Sequence, residues 1–454
     1  MRAMSPTQSR PDLLNAPILP TLKKMTIPMI FGMIALMMFN IVDTFFISLL
    51  GTEPLAAVSF TFPVTFTVIS LAIGLGIGTS AVIAKALGSN NLTEARFDAT
   101  ISLLVAVVLV LCLSLLGYLL IDPIFILLGA GEQVLPLIHD YMNIWFMGSV
   151  FLITPMIGNS VLRASGDTTT PSLIMGGAGL VNAILDPILI FGFGPIPAYG
   201  ISGAAIASVI AWACGVCVVL YLLAFKKRLL SMKPGTQTPL SCAIKVLKIG
   251  VPAAGANMLT PIAMAVMTAL VAYHGPQAVA AFGVGSRIES IASILVLALS
   301  MTLPPFVSQN FGAAKLNRVK EAYKSTLKFV MIWQFSIYLV LIALSSVISQ
   351  LFGKEQAVVD VIKLFIYTLP LSYGLQGVII LSNSSFNALH KPMNALILSV
   401  IRLFVFYLPL AYIGNEIAGL LGLFIGAALG NLFTALVAYK WFIKQLQELS
   451  DQSV

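Results

Sequence analysis

Charge is scarce in this sequence. Only 9% of the 454 residues are Asp, Glu, Lys or Arg, where soluble domains carry roughly 25%. With 59% hydrophobic residues and a mean hydropathy of +1.00, a soluble globule is excluded. The apolar stretches also lack alternation, and that excludes a β-barrel, whose strands alternate polar and apolar positions. None of the four cysteines, Cys112, Cys214, Cys217 and Cys242, falls in an expected external loop, so no disulfide framework is implied. Cys214-Gly-Val-Cys217 has redox spacing but no redox fold around it, and reads as small buried residues. The three histidines, His139, His274 and His390, sit at helix ends or in loops, too scattered for a structural metal site. No nucleophile–base pair, phosphate loop or dinucleotide fingerprint appears, so neither an enzyme nor an ATP-driven pump is indicated, and no catalytic residue is expected. The first twenty residues are polar and hold prolines, without the apolar core of a cleavable signal.

What the sequence has instead is long apolar runs. A hydrocarbon core of about 30 Å needs about 20 apolar residues per helix. Twelve such runs start near residues 24, 57, 99, 139, 172, 201, 242, 279, 322, 361, 394 and 417. The net charge of +8 would suggest nucleic acid in a soluble chain, but here it follows topology. With the N-terminus cytoplasmic, the even-numbered loops and both tails hold all but four of the 25 Lys and Arg. The exceptions are Lys354 and Lys363 outside, and Arg287 and Arg402 within helices. This is the positive-inside pattern, with both termini inside. It predicts a multi-pass membrane protein that meets lipid and no nucleic acid.

The sequence repeats itself at a separation of 224. Pro28 falls on Pro252, Leu55-Ala-Ala-Val58 on Val279-Ala-Ala-Phe282, and Gly88-x-x-x-Leu92 on Gly312-x-x-x-Leu316. Arg163-Ala164 lies opposite Asn387-Ala388. The expected fold is therefore all-α: twelve transmembrane helices in two six-helix lobes, related by a pseudo-two-fold along the membrane normal. A cytoplasmic tail (1–23) precedes the N-lobe (24–225). A basic inter-lobe loop (226–241), with Pro234-Gly235 and Pro239, leads to the C-lobe (242–441) and a cytoplasmic tail (442–454).

Three of the 17 acidic residues fall inside apolar runs: Asp43, Asp186 and Glu289. A charge at membrane depth costs roughly 2.5–3.5 kcal/mol on insertion scales, so each needs a reason. Asn40 lies three residues before Asp43 and Asn182 four before Asp186, on the same helix faces. Asp43, Asp186 and Ser208 each lie about eight residues from an outer turn, roughly 12 Å below the outer face at 1.5 Å per residue. Tyr141, near the outer end of helix 4, reaches toward the same level. Asp43 falls opposite Met267, and Asp186-Pro187 aligns near Leu408-Pro409. Two copies of one scaffold keep these acids in only one lobe, which favours function over folding. A carboxyl that can take a proton or share a cation is what a coupled transporter needs.

Pro187 frees the carbonyl of Ala183 beside Asp186, which could coordinate Na⁺ together with Asp43, Asn182 and Asp186, or hold water for a proton relay. Pro28 is a candidate bending point of helix 1. Glu289 and Arg287 form an intramembrane ion pair or a C-lobe substrate contact. Arg402 is read as pairing with a carboxyl or capping carbonyls. Gly74, Gly76 and Gly78 are close-packing positions rather than a phosphate loop.

Together, Asn40-x-x-Asp43, Leu55-Ala-Ala-Val58, Leu162-Arg-Ala-Ser-Gly-Asp-Thr-Thr-Thr-Pro171, Asn182-x-x-x-Asp186-Pro187 and Gly203-Ala-Ala-Ile-Ala-Ser208 resemble the multidrug and toxic compound extrusion (MATE) transporters. The resemblance covers the chain after residue 20 and is similar to the DinF-like branch. It implies a V-shaped fold with alternating access, and H⁺- or Na⁺-driven export of amphipathic organic cations by a monomer without cofactors. It implies coupling roles for Asp43, Asn182 and Asp186, and carries the helix 6 hydroxyl to Ser208 and the helix 4 tyrosine to Tyr141. With a proton as the preferred coupling ion, protonation of Asp43 would drive bending at Pro28 and drug release. The alternative is a flippase of the same superfamily for a lipid-linked oligosaccharide or peptidoglycan precursor. Its pyrophosphate would want a basic cavity lined by Arg287 and Arg402.

Overall fold

In hydrocarbon a backbone must satisfy its own hydrogen bonds, so each solid apolar run folds as a helix. A computed structural model describes residues 12–233, 237–353 and 355–452. The first helices are α1 (Ile18–Ser48), α2 (Thr52–Gly88), α3 (Leu92–Leu119), α4 (Leu135–Ala164), α5 (Thr169–Phe191) and α6 (Ile201–Tyr221). Then come α7 (Pro239–Ala272), α8 (Pro276–Ala292 continued as Ile294–Gly312) and α9 (Leu316–Ala343). Helix α10 joins Gln356–Thr368 to Tyr373–Ala388 through a 3-10 turn, Leu369–Ser372. The last stretch, Pro392–Asp451, breaks where Ala418 and Gly419 leave helical angles, giving α11 (392–417) and α12 (420–451). Eleven described stretches are long and apolar enough to span a membrane, and this break makes twelve spans. Large apolar side chains such as Leu115, Leu127 and Phe225 point outward, the arrangement a lipid solvent requires. The expected polar tail up to residue 11, the Pro234-Gly235 turn and Lys354 lie outside the described residues.

The 224-residue repeat recurs in the backbone. Helices α2, α4, α8 and α10 all end with an amide bonded to the carbonyl five residues back, the Schellman closure that satisfies orphan carbonyls. The pairs are Asn91 to Ala86, Asp167 to Leu162, Lys315 to Asn310 and Lys391 to Phe386. The residue before each donor is left-handed: Asn90, Gly166, Ala314 and His390, with φ between 57° and 86°. At the opposite ends Gly51 and Gly275 have φ of 118° and 96°, angles that favour glycine. The short helices Ile121–Leu127 and Ser345–Phe352 also match at the same separation.

The chain forms two compact units. One holds Ile27–Ala254; the other holds Leu13–Thr26 together with the residues from Gly255 onward. The division thus falls inside α7 and inside α1 rather than in the 226–241 loop. Its cause in α7 is backbone packing within the first unit. A Cβ on Gly74 would lie 2.3 Å from the Gly250 carbonyl oxygen, and one on Gly78 2.5 Å from that of Val246. The first half of α7 is therefore pressed onto α2 by residues with no side chain. In the second unit the start of α1 is held by a Thr26 Oγ1···Thr302 Oγ1 bond of 2.9 Å and by Asn310 Nδ2 donating to the Leu13 carbonyl at 3.0 Å. Pro28 lies two residues beyond Thr26. Cys214 and Cys217 are exposed on α6 rather than buried, because Gly215 supplies that helix's packing face against Pro155.

Candidate functional site

In the first unit α1 runs beside α5 in close register. Gly32 meets Ser172, Ala35 meets Gly176, and Phe39 meets Gly179. Continuing that register one turn sets Asp43 beside the Asn182–Asp186 turn of α5. The other wall comes from α6, which doubles back tightly: Tyr199 and Gly200 amides donate to the Leu189 and Ile190 carbonyls at 2.9 and 3.1 Å. A Cβ on Gly203 would lie 2.4 Å from the Leu189 carbonyl oxygen. That closeness brings Ser208 to α5.

Asn182 Nδ2 donates to Asp186 Oδ1 at 3.1 Å and to Ser208 Oγ at 3.3 Å. Asn182 and Asp186 are 0% exposed, and Ser208 and Tyr141 are buried. Asp43 is half-buried, within electrostatic range of both Asp186 and Tyr141. Asn182 Oδ1 and Asp186 Oδ2 are buried with no hydrogen-bond partner. Two orphan oxygens beside a second carboxyl suit a proton or a small oxygen-loving cation, since an unpartnered buried acceptor otherwise costs about 1–3 kcal/mol. Asn40 is exposed on α1 and takes no part in these bonds. Pro187 lies inside a continuous α5, and Pro28 inside a continuous α1.

The second unit has its own polar cluster. Glu289 Oε1 accepts from Gln376 Nε2 at 2.9 Å rather than pairing with Arg287. Two positions apart on a helix, Arg287 and Glu289 point roughly 200° apart, and Arg287 is exposed. The Arg402 guanidinium sits over the Tyr407 ring, 5.6 Å from its centroid. It lies within electrostatic range of Glu289, but no described carboxylate comes within 4.0 Å of it. Arg402 and Tyr407 both belong to the π-helical segment Ile401–Tyr407.

The sequence reading missed Tyr373, Gln376 and Tyr407, uncharged residues that do not stand out in apolar runs. It also missed Asp98 in α3, which is 0% exposed with neither carboxylate oxygen hydrogen-bonded.

Twelve apolar spans among the described residues, in two units that repeat one another, with a buried Asn182–Asp186 pair near Asp43 in the first, define a multi-pass membrane transporter rather than an enzyme. A family model described as MatE matches twice, at residues 28–188 and 252–413, and the chain belongs to that family of MATE transporters. A Shewanella oneidensis protein named FAD transporter is 41% identical over 433 residues, 95% of this chain and 96% of that one. The Staphylococcus aureus multidrug export protein MepA is 24% identical over 428 residues, 93% of each. The crystal structure of the Vibrio cholerae MATE transporter VcmN in the bent form matches with a TM-score of 0.91 at 35% identity, covering 94% of this chain and 97% of that one. The twelve-helix fold expected from the sequence is the fold of these transporters.

Proposed function

We propose that this chain is an ion-coupled exporter of the bacterial inner membrane, with both termini cytoplasmic and its coupling group in the first unit. The observation carrying this reading is the Asp43–Asn182–Asp186 cluster with its two orphan oxygens, in a repeat whose second copy has Met267 opposite Asp43. Asp43 on α1 and the Asn182–Asp186 pair on α5, both in the first unit, also support the DinF-like branch. A proton is the preferred coupling ion and Na⁺ the alternative. Protonation changes the charge beside α1, and a ligand shifts a two-state equilibrium only by its differential affinity for the states. Pro28 lies where α1 passes from one unit to the other, which suits a bend there.

For the substrate we favour flavin adenine dinucleotide or a similar anionic dinucleotide. The relative named FAD transporter is 41% identical over nearly the whole chain, against 24% for the multidrug exporter. The second reading is export of amphipathic organic cations, favoured by the two acids, which would attract a cation strongly in a low-dielectric site. A lipid-linked pyrophosphate needs the same basic contacts as a dinucleotide and is the third candidate. Flux of FAD and of a fluorescent organic cation in proteoliposomes, with pH and Na⁺ gradients imposed separately, tests the first two readings and the coupling ion. FAD flux driven by the pH gradient alone is expected; cation flux without FAD flux overturns the substrate reading.

A further inference from the structure

Each unit carries a polar cluster built around an acid at membrane depth, and neither of these two clusters has a counterpart at the repeat separation. Asp43 and Tyr141 fall on Met267 and Phe365; Glu289, Tyr373, Gln376 and Arg402 fall on Thr65, Ser149, Leu152 and Ala178. If these groups served the common scaffold, both copies would hold them. The two units have therefore diverged toward different tasks, and the second cluster differs chemically from the first.

Depth makes the second cluster costly. Arg402 lies ten residues from the start of α11, roughly 15 Å, and Glu289 thirteen residues from the start of α8, roughly 20 Å, so both sit near mid-membrane. Charges there face the protein interior or water and mark ligand pathways. Arg402 has five N–H donors, yet among the described residues its guanidinium packs over the Tyr407 ring with no carboxylate within 4.0 Å. The Tyr373 hydroxyl, in a side chain only 3% exposed, is buried without a partner. Gln376 is turned onto Glu289. The segment carrying Arg402 and Tyr407 is π-helical, a local widening frequent at functional sites. It is fixed against α12 by Gly430, where a Cβ would lie 2.6 Å from the Tyr407 Cα.

We propose that Arg402, Tyr407, Tyr373, Gln376 and Glu289 form the substrate subsite for the central pyrophosphate and the adjoining aromatic half of a dinucleotide. The unpaired guanidinium takes a phosphate oxygen pair, the geometry that distinguishes arginine from lysine. The phenol rings supply flat apolar area for a heteroaromatic ring. The Tyr373 hydroxyl and the Gln376–Glu289 pair meet its polar edge and the neighbouring hydroxyls. Coupling then belongs to the first unit and recognition of the anion to the second. The inference rests on the flavin reading above.

The test compares FAD with riboflavin, the same ring without phosphate, by quenching of flavin fluorescence on the purified full-length protein. Wild-type protein is expected to bind FAD more tightly than riboflavin. Arg402→Gln is expected to weaken FAD by on the order of tenfold to a hundredfold and leave riboflavin unchanged. Arg402→Lys, which keeps the charge, should fall between. Tyr407→Leu should weaken both ligands. Equal loss of both flavins in Arg402→Gln, or unchanged FAD affinity, overturns this subsite while leaving the flavin reading intact. Wild-type protein that binds neither flavin overturns both.

Discussion

Asn182 Nδ2 donates to Asp186 Oδ1 at 3.1 Å in a pair fully shut from solvent, and each residue keeps one oxygen with no partner. The amide holds the carboxyl in place without neutralising it. Asn182→Ala frees Asp186 to turn and strips Ser208 of its donor. A hydrogen bond donated to a carboxylate stabilises its charged form by about 1.5–3 kcal/mol, so the variant should hold its proton on the order of tenfold or more tightly. Proton uptake by the purified protein, followed with a pH dye, checks this; unchanged uptake would show that the amide is a bystander.

Backbone packing between α2 and α7 predicts a sharp contrast between glycines. Gly74→Ala pushes a methyl group into the Gly250 carbonyl and the Ala254 amide, at 2.3 and 2.6 Å, and neither can rotate away. The expected cost is about 1–3 kcal/mol, read as a lower unfolding temperature in detergent. Gly177→Ala, with nothing within 4 Å, should be neutral or slightly stabilising through helix propensity.

Asp167 supplies a pH dependence outside the membrane-spanning helices. Its burial alone would raise the carboxyl, but a 2.8 Å pair with Lys227 and two bonds from Thr170 outweigh that and hold it below the ordinary 3.8. A lowered folded value means stability present above the ordinary value and lost as pH falls through the folded one. The pair is partly exposed, so its contribution is small, about 0–1 kcal/mol. Asp167→Asn should therefore melt slightly lower than wild type at pH 7, and the gap should close below the ordinary carboxylate range.

Pro28 removes the amide that would bond to the Lys24 carbonyl, close to where α1 changes units. Pro28→Ala restores that bond and stiffens the helix. Substrate binding should persist while exchange across vesicles slows several-fold; equal rates would remove Pro28 from the conformational cycle.

The twelve spans, the repeat and the acid cluster were legible because each breaks an otherwise apolar text: a charge in a run, or a glycine at a fixed separation. The unit division was not, since it depends on Gly74 and Gly78 meeting the backbone at Gly250 and Val246, contacts between stretches far apart in sequence. Nor was the π segment, which no residue type announces. Glu289 stood out, but its partner did not: Gln376 is one uncharged polar residue among many, and Arg287 was the nearer guess by sequence alone.

The most direct test is Asp43→Asn, which keeps the shape and removes the switchable charge. In proteoliposomes under an imposed pH gradient, wild-type protein should move FAD or an organic cation against its gradient. The variant should still bind substrate but show no uphill movement beyond protein-free vesicles. Uphill transport by Asp43→Asn at the wild-type rate would contradict the assignment of coupling to this carboxyl cluster.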